Sequence, residues 1–402
     1  MKLIQKSPVG LLLGLFISCS EPGNIPSEPD FLPLPDAGTT MLEIDCRGDT
    51  QACPEFTING DPPDTSVFRG YADPSVRKDH NSNRIWLAYS WPHVTSAAKV
   101  DIHLAHSDDE GKTFVFDKVL YQAKAEMDSK TGKTGFASHE VVSLWPGSDA
   151  QWYMARLQYH VEPGKGPYGL ADSFTTHVAK ASNILDLDKA PETSLHSNMT
   201  ATQWTRNVNL NQLHGDLTSC GFYNEPAIYF RNGRLVLLLE CLVFGMGGVT
   251  DEEKSFYAVF STDPKAANPT QWQWKYDGKL AVHTEAKELG AGFVVELDIA
   301  PRPDGSLITL LTPSSYNTSI QHDVHHGCRV LKLTDSDPPS FVRENGKLSM
   351  LASITASDLT PYGPGACGYH PASTQTGIVF TRKTQTGPSG GTWSFHRSKL
   401  LP

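Results

Sequence analysis

Residues 107–114 read SDDEGKTF, with Ser107, Asp109, Gly111 and Thr113 at alternate positions ahead of Phe114. Glycine at 111 admits a positive φ, and Asp and Ser side chains accept or return local backbone hydrogen bonds. The run is therefore expected to form a hairpin corner that ties itself together. It is entered by an alternating, strand-like stretch, HLAHS (103–107). One such corner is ordinary in an all-β protein. Its weight depends on whether the chain repeats it.

The chain does repeat it. Five segments share one layout, a polar or acidic start, an apolar run, a turn and a second, more apolar run: 72–90, 139–157, 224–241, 295–313 and 367–383. A third strand-like run follows each, and three later corners, 181–191, 261–272 and 334–341, are degenerate counterparts of SDDEGKTF. The acidic leads Asp73, Glu140, Glu225 and Glu296 stand 67, 85 and 71 residues apart. That period suits a four-stranded antiparallel blade with long loops. The expected fold is all-β: a single β-propeller of five blades, with six as the alternative. The run FTI (56–58) is expected to pair with WSFHRS near the C-terminus and close the ring, removing exposed edges.

S-x-D-x-G-x-T-F is similar to the Asp box of the sialidase-type (BNR) propellers, where it marks the outer rim and not the chemistry. ADPSV (72–76) and NEPAIYFRNGRLVLLL (224–239) resemble the motifs carrying the general base and general acid in five-bladed arabinofuranosidase and xylosidase propellers. That second resemblance implies three carboxylates on successive inner strands, with Asp73 as base, Glu225 as acid and Glu140 tuning or orienting them. The sialidase resemblance implies six blades and three arginines gripping a substrate carboxylate. Arg69 in FRGYADP (68–74) and Arg156 are candidates, but no motif places a full set.

The residues themselves leave alternatives open. Asp73 and Glu225 each precede a proline at the start of a strand, a place where an acid also serves to cap a turn. In FVVELDIA (293–300) either Glu296 or Asp298 could face the axis; a buried carboxylate there has a raised pKa and suits general-acid work. His139 and His370, at the starts of inner strands, are candidates to line a sugar pocket with Arg69, Arg156 and Glu296. The cluster QHDVHHGC (321–328) has ligand-capable chemistry in His322, His325 and His326, yet without a second cluster it reads as loop histidines. No cofactor is required; a structural calcium ion has no sequence support.

The ends of the chain set its surroundings. MKLIQKSPVGLLLGLFISC has basic residues, an apolar stretch too short to span a bilayer, and small Ser18 before Cys19, the layout of an export signal. FISC resembles the lipobox of bacterial lipoproteins, which implies cleavage after residue 18, lipidation of Cys19 and anchoring in the cell envelope, otherwise secretion. Residues 19–64 are expected to be a Pro-rich, disordered tether, and 65–402 the propeller. The six remaining cysteines suggest disulfides in sequential pairs: Cys46–Cys53, Cys220–Cys241 and Cys328–Cys367. A net charge of −10 argues against a nucleic-acid surface or an anionic membrane face, so membrane contact would come from the lipid alone. The expected function is hydrolysis of extracellular glycans through central carboxylates; a non-catalytic propeller binding glycan or protein is the rival.

Overall fold

In the computed structural model, the stretch Arg231–Arg234 closes a two-residue hairpin in which Asn232 and Gly233 have φ of 51° and 75°. This is the turn that the right-handed twist of paired strands favours. The second strand leaving it, Arg234–Leu242, is buried continuously from Leu235 to Cys241, and the third, Phe256–Thr262, is buried throughout. Continuous apolar runs of this kind belong to strands covered on both faces. That is the situation of a propeller blade stacked between two others. The structure describes residues 32–33, 41–47, 52–94, 99–127, 132–162, 170–199, 207–245, 250–302, 304–317, 322–358, 363–369, 377–385, 391–398 and 400–401.

Each blade is an antiparallel sheet read outward from the axis. Blade 1 runs Ala72–Lys78, Ile85–Val94, Val100–Ser107, Phe114–Tyr121. Blade 2 runs Thr134–Pro146, Trp152–Glu162, Leu170–Ala181, Glu192–His196. Blade 3 adds Phe222–Arg231 inside and Lys275–Ala281 outside the two strands above. Blade 4 runs Phe293–Pro301, Leu307–Asn317, Cys328–Lys332, Met350–Thr355. Blade 5 runs Gly365–Tyr369, Ile378–Gln385, Gly391–Ser398, and takes its outer strand, Glu55–Phe56, from the N-terminal side. Among the described residues, these five innermost strands pack each against the next in a closed ring, 365–369 returning to 72–78. The fold is a β-propeller.

The ring closes as expected, with Phe56 opposite Phe395 and Glu55 opposite His396. The boundary at residue 65 needs correction. Leu42–Asp45 pairs in parallel with the outer strand of blade 4, and Ile58–Asn59 with the outer strand of blade 1. Residues from Leu42 onward thus belong to the propeller, because their apolar side chains and free backbone groups cover outer edges that would otherwise stay open. The disulfides join Cys46–Cys53, Cys220–Cys241 and Cys328–Cys367, the sequential pairing. The third links blade 4 to blade 5.

The corner at 107–114 is tied as its composition implied. Ser107 Oγ donates to Asp109 Oδ1 (2.7 Å) and accepts Gly111 N–H (2.7 Å), and Thr113 donates to Asp109 through both N–H and hydroxyl (2.9 and 2.7 Å). Gly111 has a φ of 86°. Arg397 of the last long strand donates to the carbonyls of Gly111 and Lys112, so the corner also helps hold the ring shut. Its counterparts occupy the same third-to-fourth connection in blades 2, 3 and 4; two of them wind into 3-10 turns capped by Asn183 and Asn268.

Candidate active site

Every innermost strand breaks register once against its neighbour, at Ala72/Ser75, Glu140/Ser143, Asn224/Ala227, Val295/Asp298 and Gly365/Cys367. One residue in each break lies in the left-handed region: Asp73, Val141, Glu225, Glu296 and Ala366, with φ between 48° and 51°. A side-chain-bearing residue there costs roughly 1–2 kcal/mol. The bulge turns its side chain out of the strand's alternation and towards the axis. Three of the five positions hold carboxylates. The fourth acid, Glu140, comes from the residue before Val141, so the assignment of Glu140 as positional equivalent of Asp73 and Glu225 is corrected by one place: Val141 holds it.

The four acids act on one another. Asp73 and Glu296 line a small axial cavity of about 30 Å³, with Ser75, Val141, Ser143 and Ala366 among its walls. Asp73, Glu140, Glu225 and Glu296 all retain some accessible surface. Protein nonetheless surrounds the Asp73, Glu140 and Glu225 carboxyls, so desolvation dominates their acidity. Burial pushes Asp73 up to about 7; the charge of Glu296 adds to this, while the Ser90 hydroxyl and Val141 N–H oppose it. Burial pushes Glu140 up to about 8, reinforced by Asp73 and opposed by the Tyr159 hydroxyl, which donates to Glu140 Oε2 at 2.8 Å. Glu225 is driven well above the usual carboxylate range by burial and by the charges of Glu296, Asp73, Glu240 and Glu140. Its Oε2 is buried with no hydrogen-bond partner among the described residues. A carboxyl so placed holds a proton at neutral pH.

Between Glu296 and Asp298 the structure distinguishes two roles. Glu296 accepts Ala366 N–H (2.6 Å) and lies 3.7 Å from His325 Nδ1. A side chain at Gly365 would meet both, its Cβ falling 2.5 Å from His325 Nδ1 and 2.9 Å from Glu296 Oε2. Asp298 instead receives both terminal nitrogens of buried Arg77 (2.5 and 3.1 Å), and Arg77 also reaches the Tyr369 carbonyl at 3.2 Å. Asp298 and Arg77 are thus a buried ion pair joining blades 1, 4 and 5.

The other candidates lie elsewhere. His139 alternates with Glu140 and points to the opposite face of its strand, where its Nδ1 accepts from Arg156 at 3.0 Å. Arg156 Nη2 donates to both Glu192 carboxylate oxygens (2.9 and 3.0 Å), and the guanidinium stacks over the Tyr121 ring at 3.8 Å. Although burial opposes its charge, Glu192 is held well below the usual carboxylate range by Arg156 and His177. Burial and Arg156 keep His139 neutral. This is a packing cluster between blades 1 and 2, and it corrects the placement of His139 and Arg156 in a pocket. Arg69 is exposed and donates to the Ser66 carbonyl at 2.8 Å. His370 and Cys19 lie outside the described residues. Among the described residues no group of three metal-ligating side chains comes together. Tyr159, Tyr257, Ser90 and His325 were not singled out as site residues by the sequence; His325 stood in the 321–328 cluster, whereas the others had no distinguishing pattern.

No family model matches the chain, and no curated protein matches it. Solved structures similar in overall path include a thermostable family-43 glycoside hydrolase at 13% identity, covering 85% of this chain and 91% of that one with a TM-score of 0.43. A family 117 glycoside hydrolase of the marine bacterium Zobellia galactanivorans matches at 10% identity, 87% and 91% coverage and a TM-score of 0.45. The catalytic domain of a Coprinopsis cinerea family 62 α-L-arabinofuranosidase matches at 9% identity, 85% and 94% coverage and a TM-score of 0.42.

Proposed function

We propose that the protein is a glycoside hydrolase whose site is the axial pit of the propeller. The observation carrying this reading is the convergence of Asp73, Glu140 and Glu225 from three inner strands, close enough that Asp73 perturbs the acidity of the other two. Glycosidic cleavage needs a carboxylic acid to protonate the leaving oxygen and a carboxylate to activate water or attack. Glu225, held protonated by burial and neighbouring charges and with an Oε2 unpartnered among the described residues, takes the acid role. Asp73, held by the Ser90 hydroxyl and Val141 N–H, takes the basic one. Glu140, fixed by Tyr159, orients the groups beside Asp73.

The same geometry speaks for a neutral sugar. The interior guanidiniums of Arg77 and Arg156 are consumed by Asp298 and Glu192, and Arg69 bonds a backbone carbonyl. A sialoside or uronoside would bring a negative charge that none of these three arginines is free to pair. The test is hydrolysis of aryl glycosides, with arabinofuranose, xylose and sialic acid included, by the purified protein beside Glu225→Gln. On a neutral glycoside of a weakly acidic phenol, turnover is expected to fall by about 10³-fold in the variant, since general-acid catalysis contributes roughly 10²–10⁴-fold. Silence of the wild type across the panel would turn the reading to a glycan- or protein-binding propeller.

We further propose that the chain is exported and held at the cell envelope through lipidated Cys19, where glycans are the available partner. Cys19→Ala is expected to move the protein from the membrane to the soluble fraction of fractionated cells. Retention of the variant in the membrane would contradict this.

A further inference from the structure

A side-chain oxygen of one blade captures a backbone N–H at or just beyond the next blade's bulge. Between blades 1 and 2, Ser90 Oγ accepts Val141 N–H and Ser75 Oγ accepts Leu144 N–H, both at 2.9 Å. Between blades 2 and 3, Ser143 Oγ accepts Ile228 N–H at 3.0 Å. Between blades 4 and 5, Thr312 Oγ1 accepts Ala366 N–H at 3.0 Å. The seam between blades 3 and 4 is built differently. Its latch is Tyr257, on the third strand of blade 3 and opposite Glu240. The Tyr257 hydroxyl donates to the Glu225 carbonyl (3.3 Å) and accepts Leu297 N–H (3.1 Å). One oxygen therefore touches the backbone of Glu225 itself and of the residue following Glu296. Both carriers sit at positive φ, a conformation that holds only when surrounding contacts over-determine it.

We propose that Tyr257 is the positioning residue of the site, its hydroxyl fixing the Glu225 and Glu296 bulges relative to each other and so setting the separation of their carboxyls. The proposal rests on the reading of Glu225 as the acid for its catalytic meaning, but not for its structural content. Tyr257 is almost fully buried. Burial, with Glu240 and Glu225 nearby, pushes its phenol well above the usual range, so the hydroxyl keeps the proton it donates. Phenylalanine would preserve the ring's packing while leaving a buried carbonyl and a buried N–H unpaired.

The test compares Tyr257→Phe with Tyr153→Phe, which removes another buried tyrosine's bond, to Asp149 Oδ2 at 2.7 Å, away from the axis. Carboxyl-carbon NMR of Glu225 and Glu296 is the activity-independent readout. In Tyr257→Phe both titration midpoints should move by about half a pH unit or more, since the charges they feel depend on separation, and in Tyr153→Phe they should not. On a glycoside the wild type turns over, kcat should fall about tenfold or more in Tyr257→Phe with KM within about twofold, the mark of an interaction used in the transition state. Midpoints in Tyr257→Phe matching those in Tyr153→Phe would overturn the proposal. A wild type silent on every glycoside would sink the hydrolase reading and leave the titration to decide this one. Should Tyr257→Phe not fold, amide exchange in the wild type decides: Leu297 N–H should be as protected as sheet amides, and exchange as fast as an exposed amide would refute the latch.

Discussion

At the residue scale, Asp73, Glu140 and Glu225 resist ionisation. Glu140 has an ordinary value of 4.5 and a folded value of about 8. Between those values the folded protein holds a proton that the unfolded chain has released, so stability falls as pH rises through that window. Glu140→Gln keeps an acceptor for Tyr159 and removes the penalty. Its melting temperature, by calorimetry, should exceed the wild type's by several degrees at pH 8 and match it at pH 4; a lower value at pH 8 would contradict the assigned burial of charge. The same logic sets the pH profile of turnover. Asp73 must be ionised to act as base, so kcat/KM should rise with pH through about 7, and fall again where Glu225 gives up its proton. An acidic optimum would remove Asp73 from the basic role.

At the element scale, the unit of the site is the bulge, which explains what the sequence could and could not disclose. Asp73 and Glu225 were legible because each stands at an acid–proline pair opening an apolar strand. Glu140 was legible as an acid, but not the one-residue offset that makes Val141 the bulge residue: an αL conformation at a valine leaves no compositional trace. Glu296 and Asp298 could not be separated by pattern. The break in register is what sends one to the axis and the other to Arg77, a partner 221 residues away. Tyr159 acts from the next strand of its own hairpin, and Tyr257 and Ser90 act between strands further apart in the chain; local periodicity registers neither. The strain itself is testable at Ala366, φ 51°, which carries only a methyl group. Ala366→Gly is expected to be neutral or stabilising by up to about 1 kcal/mol in urea unfolding, although glycine usually weakens a strand. A loss of about 1 kcal/mol or more would mean the left-handed conformation is not being relieved there.

At the scale of the whole molecule, closure matters as much as the blades. The outer strand of blade 5 comes from residues 55–56, the edge of blade 4 is covered by 42–45, and Arg397 grips the 107–114 corner. The repeat made the propeller legible, and Phe56 of FTI pairs with the C-terminal strand as expected, while Ile58 pairs with the outer strand of blade 1. The strand at 42–45 was hidden because it lies next to a Pro-rich, acidic stretch whose composition reads as spacer. The Cys328–Cys367 bridge spans 39 residues and joins blade 4 to the inner strand of blade 5. Replacing both cysteines with serine should cost about 3–4 kcal/mol, the order expected for a loop of that length. Denaturant unfolding that found no loss would show that the edge strands hold the seam alone.

If Glu225 is the proton donor and Asp73 its basic counterpart, the dependence of turnover on leaving group separates their roles. A general acid matters most when the departing oxygen is basic and least when it leaves readily as an anion. Aryl glycosides with a graded series of phenols, on the sugar the wild type prefers, would be compared in Glu225→Gln and Asp73→Asn. The account expects Glu225→Gln to approach wild-type rates on the most acidic phenols and to fail on the least acidic. Asp73→Asn should fail on all of them. A uniform loss in Glu225→Gln across the series, or none, would contradict the assignment.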